Sequence, residues 1–180
     1  MWQGDSMAEQ IDELTIRTAG PADANSIAAV HVRSWQEAYA GIVSERYLAS
    51  LDPAERAVRW ARHLEHGPAD GVRTWIAQDG PRLLGFASVG PSRDEDAARG
   101  ELEVYSIYLE PSTWGHGVAR ELMRTVIGES GENTPMSLWV LAANERARHF
   151  YRRHGFQPDG VERYEDVGGE ELLEVRYRRG

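Results

Sequence analysis

A strand that stops at a glycine turn and restarts as a helix places the strongest limit on this chain. The segment is PSTWGHGVARELM, residues 111–123. The run Glu101–Leu109 before it reads as a strand, and from Val118 to Ile127 the apolar residues Val118, Leu122 and Val126 fall at i, i+4 and i+8, one stripe of a helix. Between them stand Trp114, Gly115, His116, Gly117, Val118 and Ala119. The first N–H groups of a helix have no partner within it, and the dipole makes that end positive. Glycine there lets the main chain come close to a ligand. The turn reads in two ways: as a cradle for an anion such as a phosphate, or as ordinary turn chemistry. No Lys-Ser/Thr follows, so it is not a P-loop, and it lacks the three-glycine dinucleotide pattern.

Periodicity supplies the other elements. Leu14–Thr18 is a short strand. Pro21 opens a helical stretch in which Ile27, Val30, His31 and Ser34 share a face. A second helical region covers about 44–51. A third follows Asp52-Pro53, where Asp caps and Pro suits the first turn. Trp75–Gln78 and Leu83–Val89 are strands joined by the hairpin signal DGPR. Met136–Leu141 is a strand, Glu145–Arg153 a helix, and two strands lie near 156–163 and 170–179. SRDEDAARG, residues 92–100, is a charged loop. The pattern predicts one α/β (α+β) domain over 11–180 with a mixed sheet, preceded by a loose tail over 1–10.

A second constellation is LWVLAANERARHFYRRHGF, residues 138–156: strand, Asn144, helix, then Gly155-Phe156. Asn144 is placed to cap the helix, and Tyr151, seven residues on, falls near the same face two turns later. Gly155 suits a C-terminal cap. Without further context this is a strand–helix–strand unit with a capping Asn and a core Tyr.

Composition narrows the partners. The chain has 29 acidic and 20 basic residues, a formal charge of -9. That balance argues against nucleic acid, whose phosphates want a basic surface. It suits an amine-bearing ligand or simply solubility. There is no cysteine, hence no disulfide, thiolate metal site or cysteine nucleophile. The six histidines show no metal-binding spacing. No apolar run approaches the roughly 18 residues of a membrane span, and MWQGDSMAEQ has neither the basic nor the apolar region of a signal peptide. The expected setting is cytoplasmic, away from membranes.

Taken together, the two constellations resemble the GNAT superfamily of N-acetyltransferases. The family's central motif, Arg/Gln-x-x-Gly-x-Gly/Ala opening a helix after a strand and a Pro, aligns with 114–119. Gly117 and Ala119 match it, and Trp114 stands in place of the usual Arg or Gln. Asn144, Phe150, Tyr151, Gly155 and Phe156 match the later motif. The resemblance covers about 70–179 and implies the GNAT fold, a mixed sheet of six to seven strands with flanking helices. It implies acetyl-CoA as cosubstrate and transfer of its acetyl group to a primary amine of a small molecule or peptide. Pantetheine would pair with the main chain of Ile107, Tyr108 and Leu109. The pyrophosphate would sit on the N–H groups of residues 114–119, and Asn144 and Tyr151 would also bind the cofactor. Tyr151 would be the general acid. A homodimer through the C-terminal strands is also compatible with the resemblance. The alternative is a regulatory module that binds acetyl-CoA without turnover.

The general base and acceptor site are read from the residues. Glu101 and Glu103 lie on one strand two apart and point to one face, continued by Tyr105 and Ile107. Glu103 is the first candidate for the base and Glu101 the second; both are otherwise edge glutamates. Trp35 and Tyr39, four apart on a helix, would wall the acceptor's pocket and suit an ammonium by cation–π contact, or else belong to the core. Arg148, Arg152, Arg153, His149 and His154 would either meet the CoA 3′-phosphate or form a solvated face.

Overall fold

The computed structural model describes residues 11–180; the tail expected over 1–10 lies outside the described residues. The elements are β1 (Leu14–Thr18), α1 (Ala24–Ala38), α2 (Glu45–Ser50), α3 (Pro53–His66), β2 (Arg73–Asp79), β3 (Arg82–Pro91), β4 (Leu102–Leu109), α4 (Val118–Ser130), β5 (Met136–Leu141), α5 (Glu145–Arg153), β6 (Gln157–Val167) and β7 (Glu170–Arg179). The strands form a single seven-stranded sheet in the order β1-β2-β3-β4-β5-β7-β6. Neighbours are antiparallel except β4 and β5, which run parallel because α4 returns the chain across the sheet between them.

Local chemistry explains most boundaries. The Asp52 carboxylate accepts from Ala54 N–H at 2.8 Å, with Pro53 in the first turn of α3. Pro21 opens a 3₁₀ turn and the α-helix starts at Ala24, because Asp23 turns back to accept from Gly20 N–H at 2.9 Å and from Arg17 at 2.8 Å. Glu101 lies one residue before β4, its N–H bonded to Ala98 C=O. Strand β6 runs to Val167, farther than expected. It is the outer strand and is exposed along most of its length, so no apolar alternation marks its end.

The sheet is covered on both faces. Val118, Leu122, Met123 and Val126 of α4 and Tyr151 of α5 pack on one face against Ala77, Leu84, Ala87, Val104, Leu138 and Tyr177. On the other, Ala24, Ile27, Val30 and Leu64 of α1 and α3 meet Ile76, Leu83 and Phe86. Each of these large apolar side chains contributes roughly 1.5–3 kcal/mol on burial. A smaller cluster joins Val43 and Leu48 to Leu141 and Val167, with Trp35, Tyr39 and Tyr47 against it. It brings the α1–α2 connection over the ends of β5 and β6.

The loop 92–100, which looks merely solvated in sequence, is tied down by charge. Arg176 of β7 is only 3% exposed and pairs with Asp94 at 3.2 Å, Asp96 at 2.6 Å and Asp159 at 2.7 Å. Asp94 also accepts from Trp139 Nε1–H at 3.1 Å. Arg176 holds the Asp96 carboxyl down at about 2. A depressed carboxyl stabilises the fold fully above its unfolded value near 3.9 and loses that effect as pH falls through about 2. Asp96→Asn is therefore expected to lower stability to urea at neutral pH. The gap between parent and variant should close as the pH approaches about 2. Urea unfolding across that range checks it.

Candidate active site

Strands β4 and β5 pair only at Leu102–Met136 and Glu103–Ser137. Beyond these residues β5 continues against β7 as far as Leu141, and β4 continues against β3 as far as Leu109. The edge of β4 that faces β5 therefore has no strand partner from Val104 onward. A β-bulge accompanies the parting. Ser88 of β3 faces Ser106 while Val89 faces Val104, which leaves Tyr105 as the extra residue. The Tyr105 ring lies over Gly90, where an added Cβ would come within 2.7 Å of its hydroxyl. That hydroxyl donates to Pro91 C=O at 2.6 Å.

The bulge corrects the expected face. Glu101 and Glu103 do not share a side with Ile107, because one extra residue inverts the alternation. Ile107 packs with Val104 against the α4 cluster, whereas Tyr108 joins Phe86 on the α1–α3 side. Nor are the two glutamates exposed edge residues. Glu103 is 2% exposed, and its carboxylate accepts from Arg93 N–H at 3.1 Å and from the Arg93 guanidinium. Glu101 accepts from Ala98 N–H at 2.8 Å and lies 3.2 Å from Arg178 Nε. Both carboxylates are engaged by arginines, so neither stands free at the strand.

At its far end β4 runs through a 3₁₀ turn, Pro111–Thr113, into the glycine turn. Gly115 and Gly117 have φ of 86° and 82°, the left-handed region that glycine tolerates best. Gly117 is the N-cap of α4 and gives no side-chain cap. Trp114 N–H donates to Pro111 C=O at 3.2 Å and His116 N–H to Thr113 C=O at 3.3 Å. Those two donors are spent inside the turn. Gly115, Gly117, Val118 and Ala119 have no such acceptor among the described residues, so their N–H groups form the open cradle. A Cβ on Gly117 would meet nothing nearer than Arg120 at 3.8 Å; the space before it is free.

Sequence reasoning missed Arg146. Its guanidinium lies 3.9 Å from the centroid of the Trp114 ring, and burial lowers its pKa. The departure at 114 was the one signal that could have led to it. Arg148 and Arg152, by contrast, turn inward. Arg148 Nε donates to the Tyr177 hydroxyl at 3.2 Å and Arg152 reaches the same oxygen at 3.4 Å, which holds α5 on β7.

Asn144 caps α5 by accepting from Ala147 N–H at 3.0 Å. This places Tyr151, 9% exposed, beside Phe156 within the α4-side cluster. Burial, with Tyr108 as the second cause, pushes the Tyr151 hydroxyl well above the usual phenol range. Tyr108 on the opened half of β4 lies beside Tyr39 and meets the Trp35 ring edge to face at 6.2 Å. Tyr39 also senses Tyr151 and Glu174, so these phenols lie around one space between β4, α1 and α5. Trp35 and Tyr39 meet edge to face at 4.8 Å. His31 stacks on Tyr108 at 4.9 Å and 19°. Burial, then Arg56, lowers the His31 pKa to about 3. No group of three or more His, Asp or Glu side chains suited to a metal occurs among the described residues. No described helix is long and apolar enough to cross a membrane.

The acetyltransferase (GNAT) family matches residues 32–156. The chain is 26% identical to a probable N-acetyltransferase of Mycobacterium tuberculosis over 92% of each protein. It is 31% identical to an uncharacterized N-acetyltransferase of Bacillus subtilis over 90% of each. Its fold superposes on the PaiA N-acetyltransferase of Thermoplasma acidophilum, solved in complex with coenzyme A, with a TM-score of 0.71 at 20% identity, covering 91% of this chain and 98% of that one. A putative acetyltransferase of Salmonella typhimurium, solved with acetyl-CoA, superposes with a TM-score of 0.69 at 21% identity over 93% of each.

The Arg93–Glu103 pair yields a direct test. Arg93→Met leaves a buried carboxylate short of its charged partner, and a loss of about 1–3 kcal/mol is expected. Adding Glu103→Gln to that variant should restore most of it. Denaturant unfolding of the parent, both single variants and the double variant measures the coupling.

Proposed function

This chain belongs to the acetyltransferase (GNAT) family, and we propose that it moves an acetyl group from acetyl-CoA to a primary amine by direct attack within one ternary complex. The observation that carries the reading is the open edge of β4, which ends on an uncapped helix N-terminus. An extended chain bearing amides and a pyrophosphate fits that edge and that cradle in turn.

The bound thioester supplies the electrophilic carbonyl, and the protein does the rest. Main-chain groups of Ile107, Tyr108 and Leu109 pair with pantetheine, and an N–H of this segment donates to the acetyl oxygen as charge develops there. The N–H groups of Gly115, Gly117, Val118 and Ala119 hold the pyrophosphate. Arg146, lying over Trp114, supplies the side-chain cation that position 114 itself lacks. The amine nitrogen bonds to the acetyl carbon as the carbon–sulfur bond breaks. Tyr151, kept protonated by burial, gives its proton to the leaving sulfur, and the surplus proton of the newly acylated nitrogen leaves to solvent, from which the phenol is restored. Having a lysine-like amine neutral at pH 7 costs roughly 4–5 kcal/mol. With Glu103 and Glu101 both engaged by arginines, this reading releases the amine's proton to solvent before attack rather than to either carboxylate. A cytoplasmic setting and pairing of two copies along exposed β6 belong to the same proposal.

Thiol release from acetyl-CoA across a panel of amines tests the activity. Binding without turnover on any acceptor would instead make the protein an acetyl-CoA sensor. Gly117→Ala puts a side chain into the cradle, and the affinity for acetyl-CoA should fall at least tenfold, about 1.4 kcal/mol. Calorimetric titration of variant and parent, both shown folded by melting, decides it. Tyr151→Phe should lower kcat by roughly 10²-fold while acetyl-CoA binding stays close to parental. Steady-state kinetics beside the same titration separates the two effects.

A further inference from the structure

The molecule's net charge is -9, and the acceptor end of the cleft holds acids as well as arginines. Its carboxylates are already paired: Glu103 with Arg93, and Glu174 with Arg163 at 2.7 Å. Arg33 is likewise matched, to Glu110 at 2.6 Å. Arg56 differs. Its guanidinium lies 5.5 Å over the Trp35 ring, with no carboxylate in ion-pair contact among the described residues. The cation–π position on Trp35 is thus filled by the protein's own cation, and the aromatic wall no longer argues for an ammonium at that place.

The neighbouring histidine sharpens this. Trp60 Nε1–H donates to His31 Nδ1 at 3.1 Å. An indole nitrogen can only donate, so Nδ1 is the accepting nitrogen and the proton of the neutral ring sits on Nε2. That Nε2 lies 3.5 Å from Arg56 Nη1, which is also only a donor. Two donors therefore converge with no acceptor between them. A planar oxyanion would accept from both, and a carboxylate, with two oxygens in one plane, matches the flat fork of a guanidinium. The place is next to the proposed chemistry: the His31 ring stacks on Tyr108, on the opened half of β4.

We infer that His31 Nε2–H and Arg56 form a carboxylate-binding site, and that the acceptor is a primary amine carrying a carboxylate, of the amino-acid type. This names the substrate of the proposed acetyl transfer and rests on that reading. The low His31 pKa is consistent with it, since the ring remains a neutral donor and Arg56 brings the charge.

Matched acceptors make the test. Leucine, methionine and phenylalanine are each compared with their amides and their decarboxylated amines, with spermidine alongside. The expected result is a kcat/KM at least tenfold higher for the three carboxylates. Arg56→Met should abolish that margin, Arg56→Lys should keep part of it, and His31→Phe should narrow it while preserving the stack on Tyr108. Binding of the same amino acids to CoA-saturated protein, followed by calorimetry, supplies a readout that needs no turnover; Arg56→Met should weaken it at least tenfold. Turnover of amides and amines as fast as of carboxylates would overturn the carboxylate site and leave acetyl transfer standing. Amino-acid binding that depends on Arg56, with no acceptor turned over, would uphold the site and overturn the transfer. Amino acids that fail to bind, or that bind Arg56→Met as well as the parent, would overturn the site whatever the thiol assay shows.

Discussion

Two residues of parallel pairing, Leu102 with Met136 and Glu103 with Ser137, join the halves of the sheet, and the whole site depends on how the strands part after them. Main-chain donors and acceptors left without a strand partner are costly unless water or a ligand takes them up. Here the unpartnered edge lies where β4 and β5 part. The bulge at Tyr105 helps the parting, since an extra residue bends and twists its strand. It also decides which side chains of β4 look toward α1 and α3 and which toward α4. Tyr108 owes its place among His31, Trp35 and Tyr39 to that single inserted residue.

The charges obey a second rule: several acids are matched by arginines within the fold itself. Asp94, Asp96 and Asp159 gather on Arg176, Glu103 is held by Arg93, and Glu174 by Arg163. These pairs tie the loop 92–100 and the β6–β7 hairpin across β5, so the acid-rich composition acts as scaffold there. Two arginines with no ion pair among the described residues, Arg56 and Arg146, lie over Trp35 and Trp114. Flat aromatic surfaces hold guanidinium groups without neutralising them, which leaves both charges available to a ligand.

Much of this was legible in the chain itself. Met136–Leu141 and Glu145–Arg153 have the bounds that their apolar pattern and the capping Asn144 predict. The glycine turn is a helix N-terminus because Gly115 and Gly117 permit the positive φ that it needs. Val118, Leu122 and Val126 form the buried stripe that their spacing requires. Each of these rests on a rule that acts over a few residues, so the order of amino acids alone is enough to apply it.

Tertiary structure decided the rest. A reading of β4 by strict alternation puts Ile107 beside Glu103, and one bulged residue reverses it. The spacing of Trp35 and Tyr39 indicates a shared face but cannot say that Arg56, from another helix, occupies the face of Trp35. Position 114 shows a Trp in the sequence, while the guanidinium of Arg146 over its ring emerges only when α5 is laid against the turn. The sequence by itself determined the elements, the glycine turn and the family. Which charges are matched and which are left for a ligand was decided by register and helix packing, because those contacts join residues far apart in the chain and no local period records them.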